Sequence, residues 1–222
     1  MLVTPEELEA LLPAALLDRA SVLSAASLHE ASGRLGALPA NLRPLTPLMR
    51  VVGRALPVRS PAGDNLWLHH ALIAAQPRDV LVVDTGAGLD FGYWGEIMAT
   101  AAAVRGVAGL VIIGGVRDML RLIEIGVPTF SVTITIQGTV KNLQGDGAVG
   151  EPVRIGEVMV RRGDLIFGDA DGVVALNPAL AAAAVARAEQ RDADEIHILE
   201  RIRAGASTLD IYDFTSAGVA KP

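Results

Sequence analysis

The chain has 222 residues, of which 51% are hydrophobic and 20% are charged, and it contains no cysteine. This length suffices to bury a full core, and the lack of cysteine excludes disulfides, thiolate metal sites and a cysteine nucleophile. Acidic residues outnumber basic ones, 25 to 19, so the basic surface typical of nucleic-acid binding is missing. The longest apolar stretch, residues 106–116, is shorter than the about 20 residues of a membrane helix. Because the N-terminus also lacks a signal-peptide pattern, we expect a soluble cytoplasmic protein that binds neither nucleic acid nor membrane.

The first predicted elements are helices. Residues 4–7, with the sequence TPEE, form a typical helix start, because threonine caps, proline suits the first turn and acids face the positive end of the helix dipole. A second helix is predicted over residues 21–32. Short strands over residues 50–53 and 55–58 follow, and then a helix over residues 64–75.

The centre of the chain predicts two consecutive β-loop-α units. Apolar runs at residues 80–83 and 110–113 each end in a glycine-containing loop. A short helix follows each loop, over residues 96–105 and 117–124. This order predicts adjacent parallel strands joined by right-handed crossovers. Residues 129–176 alternate β-branched and polar residues between glycine turns, which predicts a β-rich half.

The chain is predicted to end in a long helix over residues 177–204. Asn177 suits its cap, Pro178 its first turn, and Gly205 lies just past its end. At 1.5 Å per residue the helix would be about 40 Å long. It would then reach a neighbouring subunit, unless it packs along its own chain. Without repeats or linkers, we expect one domain over residues 1–222, comprising a helical segment (4–36), a core (45–176) and this helix.

Two motifs match functions that the predicted elements do not support. Residues 82–87 match the short signature of retroviral-type aspartic proteases, but those enzymes are all-β and here an alanine-rich helix follows. The alternative to a catalytic role is that Asp84 only ends a strand and turns the chain. The glycines of residues 86–95 do not form G-x-G-x-x-G, and no acidic ribose ligand follows, so a dinucleotide site is not indicated.

The strongest candidate for an anion site is the start of the helix at residue 96. Open α/β sheets bind ligands at the carboxyl ends of their strands, where this helix begins. Free amides at a helix start hold a carboxylate or phosphate. The predicted substrate-binding amides are those of Gly95, Glu96, Ile97 and Met98.

Arg117 and Asp118 follow the neighbouring strand and complete this candidate site. Arg117 offers a planar fork for a carboxylate or an enolate oxygen. Asp118 is a hard oxygen ligand for Mg²⁺ or Mn²⁺, and Glu96 suits a position that holds the waters of the metal. The alternative is an Arg-Asp pair that only caps the helix over residues 117–124.

A second polar cluster comprises Asp64, Asn65 and His69. From spacing alone, Asp64 or Asn65 is more simply interpreted as a helix cap, and His69 as a partly buried imidazole. Trp67 and Trp94 are expected to be packing residues, because aromatic residues and basic charge are both scarce.

Ten segments together resemble the RraA-like family, which comprises the regulator of ribonuclease activity A and the 4-hydroxy-4-methyl-2-oxoglutarate/4-carboxy-4-hydroxy-2-oxoadipate aldolases. The resemblance covers about residues 20–205 and keeps the segments in order. They are LHEASGR (28–34), RPL (43–45), GDNL (63–66), DVLVVD (79–84), WGE (94–96), RGVAG (105–109), GGVRD (114–118), GVP (126–128), GDL (163–165) and DADGVV (169–174).

The resemblance implies an α/β fold, a three-layer ββα sandwich of the swivelling-domain type, in a homotrimer or homohexamer with sites between subunits. It implies pyruvate bound by the amides of residues 95–98, with Asn65 and His69 as further site residues. The family motif of Asp, twenty residues and Arg-Asp falls on residues 96, 117 and 118, with Glu96 replacing the first aspartate. An acid of the neighbour's C-terminal helix also holds metal waters in the aldolases. Glu195 is the best match for it, with Glu189 and Asp192 as alternatives.

The function implied by the resemblance is a metal-dependent retro-aldol cleavage of a 4-hydroxy-2-oxo acid to pyruvate. Mg²⁺ on Asp118 would polarise the substrate, and Arg117 would stabilise the enolate. A water oriented by carboxylates and by His69 would take the hydroxyl proton. The same chemistry would decarboxylate oxaloacetate. No lysine lies in the matched segments, so a Schiff base has no obvious nucleophile. The alternatives are a non-enzymatic regulator that binds a ribonuclease or another protein, and an enzyme acting on a different 2-oxo or hydroxy acid.

Overall fold

The structure is a computed structural model that describes residues 3–214. Its helices are α1 (Pro5–Leu11), α2 (Ala14–Ala20), α3 (Ala25–Ala31), α4 (Leu66–Ala74), α5 (Glu96–Val104), α6 (Met119–Ile125), α7 (Pro178–Arg203) and α8 (Thr208–Ile211). Its strands are β1 (Arg43–Pro44), β2 (Val51–Arg59), β3 (Asp79–Asp84), β4 (Gly92–Trp94), β5 (Gly109–Val116), β6 (Thr129–Ile134), β7 (Ala148–Val149), β8 (Val153–Ile155), β9 (Val158–Val160), β10 (Leu165–Asp169) and β11 (Gly172–Leu176). None of these helices is both long and apolar enough to cross a membrane.

The main sheet has the strand order β1-β6-β5-β3-β2-β10-β11, with β4 beside β5 and β7 beside β2. The neighbours β2–β3, β3–β5 and β5–β6 are parallel. This confirms the parallel strands predicted from the two β-loop-α units. Strand β10 is antiparallel to both β2 and β11, so the β-rich half extends the same sheet.

Strand β3 is covered on both faces, which explains its continuous apolar sequence. Leu81 and Val83 belong to the core formed with α4, α5 and α6. Val80 and Val82 point the other way, into a core that includes both strands of the β8–β9 hairpin. Hairpin, sheet and helices are the three layers of the predicted ββα sandwich.

The N-terminal and C-terminal helices cover the β10–β11 part of the sheet. Residues of α2, α3 and α7 share one core with Leu165, Phe167 and Val174. Helix α7 is capped by Asn177, whose side chain accepts the N–H of Leu180 at 2.9 Å, as predicted. Its last buried residue is Ala188. The remaining half of this helix therefore extends beyond the core of its own chain.

Several predicted boundaries differ from the observed ones. The helix expected over residues 21–32 begins only at Ala25, and α2 was not predicted. The strands expected over 50–53 and 55–58 are one strand, β2, which runs through Arg54. That arginine is buried, and its Nε donates to the carbonyl of Leu12 while it pairs with Glu9. A partner on α1 thus allows a charged residue inside a strand.

Candidate active site

The candidate site lies where β4 and β5 end side by side. Trp94, the last residue of β4, is paired with Val116, the last residue of β5. The N–H of Arg117 donates to the carbonyl of Trp94 at 2.8 Å. The residues that follow the two strands therefore leave the sheet at the same edge. This register brings Gly95 and Glu96 next to Arg117 and Asp118.

Asp118 links the two helices that begin at this edge. Its backbone is left-handed, with φ 58° and ψ 37°, a conformation that few residues other than glycine adopt. Asp118 makes no side-chain capping bond to its own helix, α6. Its Oδ2 instead accepts the N–H of Glu96, the first residue of α5, at 3.1 Å. The alternative in which Asp118 merely caps its own helix is therefore wrong.

Gly95 makes the close approach of Asp118 possible. A Cβ atom at this position would lie 2.4 Å from Oδ2 of Asp118 and 3.1 Å from Cγ of Arg117. Gly92 is constrained by two neighbours, because its Cβ would lie 2.8 Å from the carbonyl oxygen of Thr135 and 3.1 Å from Cβ of Arg117. The space that the Arg-Asp pair occupies thus explains Gly95 and contributes to the constraint on Gly92.

Arg117 and Asp118 line an open cavity. The Nε of Arg117 lies 3.8 Å from Oδ2 of Asp118, and the two side chains are 47% and 42% exposed. Their groups are thus accessible to a small ligand. The cavity has a volume of about 710 Å³ and is lined by Arg117, Asp118, Met119, Ile134, Thr135 and Ile136.

The start of α5 retains two free amides. The N–H of Glu96, predicted to bind substrate, is occupied by Asp118. The N–H groups of Ile97 and Met98 have no acceptor among residues 3–214. The first N–H groups of a helix have no partner within the helix. Of the four amides that the sequence predicts as an anion site, those of Gly95, Ile97 and Met98 have no acceptor among the described residues, and that of Glu96 is occupied.

The side chain of Asn65 contacts residues on either side of the start of α5. It is buried, and its Nδ2 donates to the carbonyl of Tyr93 at 2.9 Å and lies 3.6 Å from Sδ of Met98. Its Oδ1 has no partner within the described chain. Asn65 occupies the cap position of α4 without a capping bond, whereas the Oδ1 of Asp64 accepts the N–H of Leu66, the first residue of α4, at 2.8 Å. Asp64 and Asn65, two of the three residues of the predicted polar cluster, therefore have different roles.

His69 lies one turn further along α4 and is half-buried. Burial lowers the pKa of His69, and the charges of Lys141 and His70 lower it further. The imidazole is therefore neutral near pH 7 and able to accept a proton. His69 is not among the residues lining the cavity of Arg117 and Asp118.

Lys141, which is not among the predicted site residues, lies near enough to His69 to lower the pKa of that imidazole. Lys141 and Lys221 are the only lysines of the chain. The rarity of lysine is the one feature of the sequence that could have drawn attention to Lys141. The segment of Lys141 reaches α4 because the N–H of Asn65 donates to the carbonyl of Val140 at 3.2 Å.

The structure does not bring Glu195 to Asp118 within one chain. Glu195 pairs with Arg191 of the same helix at 2.9 Å. It lines a different cavity, of about 480 Å³, together with residues of α3 and with Tyr212, which follows α8. The alternatives have partners on the N-terminal helices: Glu189 pairs with Arg19 at 2.6 Å, and Asp192 accepts the hydroxyl of Ser27 at 2.5 Å.

The donor set of the site fits a hydrated divalent cation. Across residues 3–214, no three or more His, Asp or Glu side chains converge as a ready-made metal site. The Oδ1 of Asp118 and the carboxylate of Glu96 accept no hydrogen bond from described residues. Mg²⁺ commonly binds through one or two carboxylates and keeps several waters. Asp118 and Glu96 supply two carboxylates.

Comparison with known proteins connects this geometry to a family. The profile of the family described as RraA-like, Aldolase/RraA, matches residues 14–175. A protein from Halalkalibacterium halodurans, provisionally named a 4-hydroxy-4-methyl-2-oxoglutarate aldolase, is 33% identical over 158 residues, which are 71% of this chain and 74% of that protein.

Two solved structures extend the similarity to most of the chain. An uncharacterised protein from Pseudomonas syringae pv. tomato has a TM-score of 0.76 and 29% identity, covering 88% of this chain and 96% of that one. A Streptomyces coelicolor protein, described as an unusual member of the RNase ES inhibitor RraA family, has a TM-score of 0.69 and 27% identity, covering 86% and 98%. The profile match over residues 14–175, the 33% identical relative and these two structures agree, and this chain belongs to the RraA-like family of aldolases and RraA proteins.

Proposed function

We propose that the protein is a divalent-metal-dependent lyase that cleaves a 4-hydroxy-2-oxo acid, of the 4-hydroxy-4-methyl-2-oxoglutarate or 4-carboxy-4-hydroxy-2-oxoadipate type, to pyruvate. It would also decarboxylate oxaloacetate. The observation that carries the proposal is the convergence of Asp118, Arg117 and the free amides of α5 at one strand edge. The aldolase name of the similar Halalkalibacterium halodurans protein supports the reaction class.

Substrate binding divides between these groups. The amides of Ile97 and Met98 suit the carboxylate of the 2-oxo acid, because helix-start N–H groups attract anions. Arg117 donates toward the oxygen that becomes negative as the enolate forms. Asp118 would hold the cation directly, and Glu96 through water. Mg²⁺ or Mn²⁺, when bound, supplies Lewis acidity at the keto oxygen.

The reaction breaks the bond between C3 and C4 of the substrate. Its electron pair moves into the enolate of pyruvate, and a carbonyl forms at C4 as the 4-hydroxyl loses its proton. A water oriented by the carboxylates, and by neutral His69, accepts this proton. Water then returns a proton to C3 to give pyruvate. Decarboxylation of oxaloacetate produces the same enolate, with carbon dioxide as the leaving fragment.

The proposed site is shared between two copies of the chain. We propose a homotrimer or homohexamer in which Glu195 of a neighbouring subunit holds waters of the cation. Helix α7 supports this, because it extends past Ala188, its last buried residue. Exposed apolar residues near the cavity also support a subunit contact there. Ile97, Leu120 and Ile136 are 80%, 74% and 95% exposed.

The deciding experiment is a panel of 4-hydroxy-2-oxo acids and oxaloacetate, assayed for pyruvate with Mg²⁺ and with EDTA. We expect pyruvate from at least one 4-hydroxy acid, with loss of activity in EDTA and in the Asp118→Ala variant. Asp146→Asn is the control, because that aspartate side chain is 91% exposed and pairs with Arg59 away from the cavity. An active Asp118→Ala protein that is insensitive to EDTA would exclude the metal mechanism.

The alternative function is a non-enzymatic regulator that binds a ribonuclease or another protein. Its support is the similarity to the Streptomyces coelicolor protein, described as a member of an RNase ES inhibitor family. No pyruvate from any substrate of the panel, at any Mg²⁺ concentration, would favour this function over the lyase.

A further inference from the structure

The start of α5 lies beside α6, which carries a second arginine, Arg121. Arg121 lies three residues after Asp118 on α6, so the two residues share one side of the helix. The N–H of Glu96 is bonded to Asp118, which places the start of α5 directly beside that side of α6. Consistently, the carboxylate of Glu96 contributes to raising the pKa of Arg121, after the larger effect of Glu124.

Arg121 is occupied by a different carboxylate. Its Nη1 donates to Oε2 of Glu124 at 2.6 Å, one turn further along α6. The carboxylate of Glu96 has no hydrogen-bond partner among residues 3–214. Glu96 is exposed, and its side chain is long and flexible. Two carboxylates thus lie within the electrostatic range of one guanidinium, and only one of them is bonded to it.

We propose that Arg121 is a positioning residue for the site, and that its pairing with Glu124 keeps it away from Glu96 so that the Glu96 carboxylate remains available to the cation beside Asp118. The inference rests on the proposed function in that it assigns Glu96 to the cation. Without Glu124, Arg121 turns to Glu96, and a guanidinium then competes with the cation for the same carboxylate.

The first test is a Mg²⁺ titration by calorimetry, without substrate, of four proteins. We expect Glu124→Gln to weaken Mg²⁺ binding between about twofold and fivefold, the range of one exposed ion pair. Arg121→Gln should leave binding unchanged or tighten it, and the double variant should match Arg121→Gln alone. The Arg105→Gln variant removes the same charge from the far end of α5 and should bind Mg²⁺ like the wild type.

The double variant distinguishes pairing from a general charge effect. If Glu124 acts only through Arg121, its replacement has no effect once Arg121 is gone. If both residues act independently through their long-range charge, the two effects add, and the inference is overturned. The Glu96→Gln background gives a second check, because Glu124→Gln should no longer weaken binding there.

A structural test separates this inference from the proposed function. In a metal-free crystal structure of Glu124→Gln, the Arg121 guanidinium should lie within 4 Å (roughly the ion-pair limit) of the Glu96 carboxylate. A guanidinium that stays in solvent overturns the inference, whatever the enzyme assays show. Mg²⁺ binding with the expected pattern but without pyruvate release would leave the inference intact and reject the lyase. No Mg²⁺ binding by the wild type would reject both.

Discussion

At the scale of single residues, the site depends on backbone conformations that the sequence alone does not reveal. Asp118 is left-handed, which costs about 1–3 kcal/mol for a residue other than glycine. The bond from the N–H of Glu96 offsets part of this cost and orients the carboxylate toward α5. Asp118 thus combines a strained backbone, a bond to the start of α5 and a solvent-open carboxylate, which supports the role proposed for it.

Replacing Gly95 by alanine should inactivate the protein without unfolding it. The new Cβ would lie 2.4 Å from Oδ2 of Asp118, so the carboxylate must move away from the N–H of Glu96. We expect pyruvate release to fall at least about tenfold, because misplacement of a catalytic group by about 1 Å is costly. Gly138→Ala is the control, since no atom lies within 4 Å of its Cβ position. Equal activity of the two variants would contradict the proposed geometry.

His69 should make the stability of the protein depend on pH. Burial, Lys141 and His70 lower its pKa in the folded state. Between that lowered pKa and the ordinary value near 6.5, the unfolded chain binds more protons, so stability is lost as pH falls. We expect His69→Gln to lose less free energy of unfolding than the wild type between about pH 7.5 and pH 5.5. Urea titrations at both pH values measure this, and equal losses would show that His69 is not buried as described.

At the scale of elements, one buried ion pair joins two strands and a turn. Arg162 and Asp79 lie 2.7 Å apart with side chains 6% and 1% exposed. Arg162 also donates to the carbonyl of Ala55 in β2 at 2.7 Å. Burial raises the pKa of Asp79, whereas Arg162 lowers it. The pair therefore ties the start of β3 to β2 and to the turn that precedes β10.

Replacing one member of this ion pair should destabilise the whole sheet. Arg162→Met leaves Asp79 buried without its cation, and we expect a loss of about 3–5 kcal/mol in the free energy of unfolding. Arg19→Met, in the half-exposed pair with Glu189, should cost no more than about 1 kcal/mol. Chemical denaturation measures both variants. Similar small losses would mean that Asp79 is solvated or protonated in the variant.

At the scale of the whole molecule, much apolar surface is uncovered in a single chain. Ile136 is 95% exposed beside the cavity, and Ile196 and Leu199 are 57% and 46% exposed on the protruding part of α7. One chain cannot bring these two surfaces together, because α7 covers the β10–β11 part of the sheet. A contact between different surfaces of two copies closes into a ring when the rotation permits.

We therefore predict a trimer or hexamer in solution. Light scattering at micromolar concentration should give three or six times the mass of the chain. Ile136→Asp should reduce the mass and the lyase activity together, because the cavity would lose its cover. Val22→Asp is the control, since Val22 is equally apolar and 80% exposed but belongs to the N-terminal helical segment. A monomeric wild type would contradict the shared site.

The sequence by itself determined the elements whose signals are local. Apolar runs at residues 80–83 and 110–113 are long enough to show strands buried on both faces, and the caps at Thr4 and Asn177 mark helix starts. These signals depend on neighbouring residues, so no tertiary contact is needed to interpret them. The ordered segments around the Arg-Asp pair likewise sufficed to indicate the family and its fold.

Tertiary structure alone decided which groups meet. The capping of α5 by Asp118 follows from the pairing of Trp94 with Val116, and the proximity of Lys141 to His69 follows from a loop bond to Asn65. Glu195 could be assigned to another cavity only after α7 had been placed on the sheet. Strand register and loop docking join residues far apart in the chain, and their energies depend on packing that local patterns do not encode.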